Sequence, residues 1–216
     1  MKRNMIVTAT AILFIVLFFL ATAIYKKQSQ SEQENASSIN PEYIQRDYSP
    51  TTGPADAKVT IVEFFDPACG TCSAFYPFVK KLMKDNPGKV KLVLRYLPLH
   101  QNSGVVVQYF EAARLQGLFW QTLERAYQTR DAWIDHHVVR PEKFWLQLDG
   151  LGLDMEKLNK DVQSAEIIRR VKQDIQDAQQ LNVNKTPGFF VNGKPLVYFG
   201  AQQLQQLVES EIAANY

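Results

Sequence analysis

Ile61-Val62-Glu63-Phe64-Phe65-Asp66-Pro67-Ala68-Cys69-Gly70-Thr71-Cys72 carries both cysteines of the 216-residue chain, separated by two residues and set directly after an apolar run. The run Val59 to Phe65 is short, β-branched and aromatic, which suits a buried strand, and Pro67 forbids its continuation. Beyond the cysteines, Phe75, Phe78, Val79, Leu82 and Met83 keep the i, i+3, i+4, i+7, i+8 spacing of a helix with one core face. The expected order is strand, turn, CxxC, helix. That order places Cys69 at a helix N-terminus, where free N–H groups and the positive dipole end favour a thiolate. Cys72 then lies one turn inside, close enough to attack a mixed disulfide formed on Cys69.

Two cysteines are too few to staple a chain of this size, so the pair points to redox chemistry or to a metal. A net charge of +2 predicts neither nucleic acid nor an anionic membrane surface as a dedicated partner. Met5 to Tyr25 is almost wholly apolar and follows Lys2 and Arg3, the start of both secretory signals and uncleaved signal anchors. About 20 apolar residues can span a bilayer, while Ala21-Thr22-Ala23 also reads as a cleavage site. Export is the expectation in either case. The anchor reading places the chain in the periplasm or outside the cell, tethered to the cytoplasmic membrane by residues 1–25, where cysteines can be oxidised.

Residues 26–53 read as a polar linker and lead-in, rich in Gln, Ser, Glu and Asn at first and in turn residues later. Asn86-Pro87-Gly88 should end the CxxC helix, and Val90 to Leu97 should form a second strand parallel to the first. From about 101 to 181 no good strand is visible. Val106, Phe110 and Ala113, then Phe119, Leu123 and Ala126, keep helical spacing, and Pro141 starts a helix holding Phe144, Trp145 and Leu148. Asp154 and Ser164 read as N-caps, the second of a helix burying Ile168, Val171, Ile175 and Ala178. Phe189-Phe190-Val191 and Leu196-Val197-Tyr198-Phe199 flank Asn192-Gly193, a hairpin signal. A last amphipathic helix carries Leu204, Leu207, Val208 and Ile212.

This order of elements resembles the thioredoxin fold, and more closely the membrane-anchored DsbA-like thiol:disulfide oxidoreductases, over residues 54–216. The fold class implied is α/β, with βαβ and ββα halves and a helical domain inserted between them. The residues that carry the resemblance are Glu63 to Cys72 and Thr186-Pro187 before the hairpin. The resemblance implies that Pro187 is cis and packs beside the redox pair, with Thr186 lining a substrate-facing wall. It also implies a buried acid at Glu63. The dipeptide between the cysteines is Gly70-Thr71, where strong oxidases of that family carry Pro-His and thioredoxins Gly-Pro. Thr186 is similar to the isomerase and Gram-positive anchored branches.

On this reading Cys69 is the attacking thiolate or the attacked sulfur, Cys72 the resolving thiol, and Gly70 and Thr71 tune the pair. Glu63 relays a proton to or from Cys72, because burial lifts a carboxyl towards a useful range; the bland alternative is a strand glutamate facing water. The bland alternative for Pro187 is an ordinary trans proline at a strand start. His100 is a surface or capping residue more readily than a site residue. His136 and His137 diverge as neighbours and do not make a joint metal site. Phe119-Trp120 and Phe144-Trp145 are read as core.

The expected function is disulfide formation or exchange in cysteine-containing exported proteins, with a membrane redox partner and no small-molecule cofactor. A reductase or isomerase running the same chemistry in reverse stays open. So does Cu(I) binding by the two thiolates, since soft ligands select that ion.

Overall fold

The computed structural model describes residues 40–216, together with positions 18, 20 and 22. Apart from those three positions, the expected signal or anchor segment lies outside the described residues, as does the polar stretch 26–39. Among the described residues no helix is long and apolar enough to cross a membrane.

Strand β2 (Val59–Phe65) is buried at six of its seven positions, and β3 (Val90–Tyr96) repeats the same pattern. Strands covered on both faces read as continuous apolar runs, and these two pair in parallel from Val59↔Val90 to Phe65↔Tyr96. The connection between them is α2 (Gly70–Asp85), which runs through Pro77 and ends before the Asn86-Pro87-Gly88 break. Its buried face is Cys72, Tyr76, Val79 and Leu82. Phe75, Phe78 and Met83 are partly buried on the flanks, so the core stripe is turned by one residue from the expected one.

The lead-in is part of the folded unit. Asn40 caps the single-turn α1 (Pro41–Ile44), and β1 (Thr51–Thr52) pairs antiparallel with β3 at the sheet edge. On the other side of β2 lies β6 (Gly188–Val191), antiparallel, followed by β7 (Lys194–Pro195). The sheet order is therefore β1-β3-β2-β6-β7. The Asn192-Gly193 turn has both residues at positive φ, 49° and 84°, as a tight hairpin requires. Its second strand is Lys194–Pro195 and not Leu196–Phe199, because a two-residue turn pairs the residues that immediately flank it. Val197, Tyr198 and Phe199 are exposed instead. The chain closes with α9 (Ala201–Asn215), which buries Leu204 and Val208.

Between β3 and β6 the chain builds a helical block: α3 (Ser103–Arg114), α4 (Phe119–Gln128), α5 (Arg130–Trp133), α6 (Pro141–Leu146), α7 (Met155–Asp161) and α8 (Ala165–Gln180). Asp154 and Ser164 cap α7 and α8 through Lys157 N and Ile167 N. The block also contains a two-stranded ribbon that the sequence reading missed, β4 (Ile134–Asp135) with β5 (Val138–Val139). Its turn residues, His136 and His137, hold φ of 47° and 66° without the Asn-Gly signal that usually marks such a turn.

One apolar core joins block and sheet. Phe65 of β2 stacks on Phe110 of α3 at 6.3 Å, and Phe110 meets Phe119 and Phe144 edge-on. Trp133 is fully buried against Phe144.

Helix α8 buries Ile167 rather than Ile168, and its inward face carries Asp174 and Asp177. Both meet Arg95 of β3, which is fully buried: Nη2 donates to Asp174 Oδ1 at 2.9 Å and to Asp177 Oδ2 at 2.6 Å. Arg46 and Tyr48 of the lead-in complete the network on the same two carboxylates.

Candidate active site

Pro67 and the β2 terminus force the chain to turn at Asp66, and the turn is then held by that side chain. Asp66 is fully buried; Oδ1 accepts from Ala68 N at 2.8 Å and Ser103 Oγ at 2.6 Å. Oδ2 accepts from Leu99 N and His100 N, and lies 2.8 Å from His100 Nδ1. His100 is thus a partner of Asp66 and not a member of the reactive cluster. One carboxylate ties the end of β2 to the segment after β3 and to the first turn of α3.

Cys69 is the N-cap of α2, and its Sγ accepts from Cys72 N at 3.3 Å. Across the site the Thr186–Pro187 bond is cis, and Thr186 O accepts from the Cys69 thiol at 3.4 Å. Both cysteines are free thiols, Cys69 slightly exposed and Cys72 fully buried. The pair is electrostatically divided. The hydrogen bond from Cys72 is the largest of the contacts that bring the Cys69 thiol from 9.0 down to about 5, against the opposing effect of burial. Burial pushes the Cys72 thiol well above its ordinary value, and the neighbouring Cys69 and the Glu63 charge push the same way.

Glu63 lies in the middle of β2 with strands on both sides, opposite Leu94 and Phe189. It is 1% exposed, which removes the water-facing alternative, and its Oε1 has no hydrogen-bond partner. Burial, and secondarily the Cys69 charge, raise its carboxyl from 4.5 to about 8. Tyr76 of α2 and Tyr127 of α4 are packed at 5.4 Å, and the pKa of each is raised partly by the Glu63 charge. Among the described residues no group of three or more His, Cys, Asp or Glu side chains is placed to hold a metal ion.

A thiol of lowered pKa on a helix N-terminus, a second thiol one turn deeper, a buried acid and a cis-proline loop are thus gathered from two separate stretches of sequence, 63–72 and 186–187. A profile of the family described as thioredoxin matches residues 45–210. The chain belongs to the thioredoxin family. Its fold is that of the DsbA-like members, with the helical block inserted in the thioredoxin fold. This thioredoxin-family chain superposes on a thioredoxin-like oxidoreductase from Silicibacter pomeroyi with a TM-score of 0.69 and 27% identity, covering 79% of this chain and 96% of that one. BdbD from Bacillus subtilis shares the fold at a TM-score of 0.67 and 24% identity, over 76% and 93% of the two chains. The α-DsbA2 thiol-disulfide exchange protein of Wolbachia pipientis does so at 0.67 and 21%, over 84% and 97%. In sequence, 144 residues are 31% identical to a Na⁺/H⁺ antiporter NhaA of Herminiimonas arsenicoxydans. That match covers 67% of this chain, which spans about a fifth of the length of the antiporter.

The structure brings Cys69, Gly70, Thr71, Cys72, Glu63, Thr186 and Pro187 to one place. It adds two side chains that sequence reasoning missed. Asp66 had a local signal, an Asp-Pro at a strand end. Arg130 had none: its Nη2 donates to Ala68 O from 62 residues away in the chain.

Proposed function

We propose that this protein is an exported dithiol–disulfide oxidoreductase that forms disulfides in cysteine-containing exported proteins through Cys69 and Cys72. The observation that carries the reading is the division of the pair: a slightly exposed thiol at a helix N-cap whose pKa is lowered to about 5, and a fully buried one whose pKa is raised. Stabilising the thiolate stabilises the reduced pair, which makes the disulfide the better oxidant and favours the oxidising direction over the reductase or isomerase alternative.

In the forward cycle a substrate thiolate attacks Cys69 Sγ of the enzyme disulfide, forming a mixed disulfide and breaking the Cys69–Cys72 bond. The electron pair of that bond leaves on Cys72 Sγ, a poor place for charge, and Glu63 with its pKa near 8 supplies the proton. A second substrate thiolate then attacks the substrate sulfur and releases the Cys69 thiolate. The substrate is oxidised by two electrons, and the enzyme leaves reduced, with Cys69 as thiolate and Cys72 as thiol. A membrane redox partner accepts those electrons and restores the disulfide. Thr186 O, on the wall facing Cys69, is an acceptor suited to pairing with an extended substrate segment once the thiol proton is gone.

Export rests on the apolar stretch Met5 to Tyr25 after Lys2 and Arg3, which supplies the oxidising compartment and a tether to the cytoplasmic membrane. Cys69→Ser is expected to abolish oxidation of reduced ribonuclease, while in Cys72→Ser the Cys69 thiolate attacks a substrate disulfide, displaces a substrate thiolate and stays trapped as the mixed disulfide. Oxidation that persists in Cys69→Ser sinks the assignment.

A further inference from the structure

The turn that carries Cys69 is gripped from the helical block. Arg130 opens α5, and its Nη2 donates to Ala68 O at 2.8 Å. The guanidinium also lies against Gly70, where an added Cβ would meet Nη2 at 3.6 Å and Cζ at 3.7 Å. It therefore binds the residue immediately before Cys69 and faces the open side of the residue immediately after it. Three residues further on, Trp133 is fully buried and its Nε1 donates to Ala126 O at 3.0 Å, so the short helix that presents the arginine is fixed by the core of the block.

The pairing of this guanidinium is incomplete. Its Nε is buried without a partner. The carboxylate at ion-pair distance is Asp131, 3.9 Å away and with its side chain fully exposed, where water screens most of the attraction. A partly buried cation without an effective counter-ion is under-compensated, and an anion forming nearby offsets part of that cost. Gly70 and Thr71 bring no charge of their own to the turn.

We propose that Arg130 is a positioning residue that serves as counter-ion to the Cys69 thiolate, stabilising the reduced pair and so holding the chemistry towards oxidation of substrate thiols. The proposal rests on Cys69 being the attacking thiol. The other groups that act on Cys69 come from different elements: the Cys72 and Thr71 amides from α2, Thr186 from the loop before β6, Glu63 from β2 and Tyr127 from α4. Of the ionisable ones, Glu63 and Tyr127 become anions on losing a proton and oppose the thiolate. Arg130 supplies the opposite sign. The arginine side chain is 27% exposed, so its effect belongs at the lower end of the range for a neighbouring charge.

Two variants test the charge, since Arg130→Gln loses it, with its amide reaching only as far as the arginine Nε, while Arg130→Lys retains both the charge and a long-reaching donor. The readout is the pH dependence of Cys69 alkylation in the reduced protein, which needs no turnover. Arg130→Gln is expected to raise the Cys69 pKa by about one unit. That tenfold loss of thiolate stabilisation makes the reduction potential about 30 mV more reducing. Arg130→Lys should stay close to the parent. Arg130→Met replaces the Gln variant if that one does not fold. An unchanged Cys69 titration after the charge is removed overturns the proposal, and so does an equal rise in the Gln and Lys variants, which would mark the arginine as a tether only. Either failure leaves the redox assignment standing, because that is decided by Cys69→Ser.

Discussion

Glu63→Gln should make the reduced protein more stable at neutral pH, although it removes the residue proposed as the proton source for Cys72. The carboxyl is 1% exposed, has an oxygen with no partner, and is raised from 4.5 to about 8. A folded-state pKa above the unfolded one means that the folded chain binds the proton more tightly. The stability associated with the neutral acid is therefore complete below pH 4.5 and is lost as pH rises from there towards 8. Between pH 4.5 and pH 7 that loss amounts to roughly 3 kcal/mol, at about 1.4 kcal/mol per pH unit. Glutamine keeps the shape and cannot ionise, so the variant should escape the loss. Urea unfolding of the reduced parent and of Glu63→Gln, from pH 4 to pH 8, gives the comparison directly. The expected difference is near zero at pH 4 and about 3 kcal/mol in favour of the variant at pH 7. A difference that stays flat across this range refutes the buried-acid reasoning. The same variant should slow release of Cys72 in turnover, since the proton source is gone.

Two further outcomes follow from the same geometry. Alkylation of the reduced protein by iodoacetamide should be confined to Cys69, with its rate rising through a midpoint near pH 5, while Cys72 stays unmodified until the protein unfolds; mass spectrometry of the labelled peptides reads both. Arg95→Leu leaves Asp174 and Asp177 buried and facing an apolar side chain, and should cost roughly 3–5 kcal/mol in urea unfolding. Because that network lies away from the cysteines, the pH midpoint of Cys69 alkylation should not move; a shift there would mean that the lead-in and α8 act on the redox pair.

The distribution of legible and illegible features has a physical pattern. The strand at Val59–Phe65, the helix after Cys69, the caps at Asp154 and Ser164 and the turn at Asn192-Gly193 are set by neighbours within a few residues, and each could be read along the chain. The failures had two causes, one local and one tertiary. Lys194–Pro195 took the strand position because the tight turn set the register, leaving Leu196 to Phe199 outside the paired strands. The His136-His137 turn formed without turn residues, because the ribbon is fixed by the block on which it packs: Arg140 N bonds Trp133 O and Val139 N bonds Gln101 O.

The sequence by itself determined the chemistry available to this protein: two cysteines on the first turn of a helix, an acid six residues before them and a Thr-Pro ahead of a hairpin. What only the tertiary structure decided is the energy of each ionisable group. Glu63 is held as a neutral acid because α2 and α4, with Cys69, Cys72, Tyr76 and Tyr127, cover the face of the sheet from which it projects, which no property of β2 requires. Asp174 and Asp177 became core residues because Arg95, 79 and 82 positions earlier, meets them there. Arg130 reached the redox turn across 62 residues. Desolvation and charge pairing depend on what surrounds a group in space, and at these separations the chain order carries no trace of it.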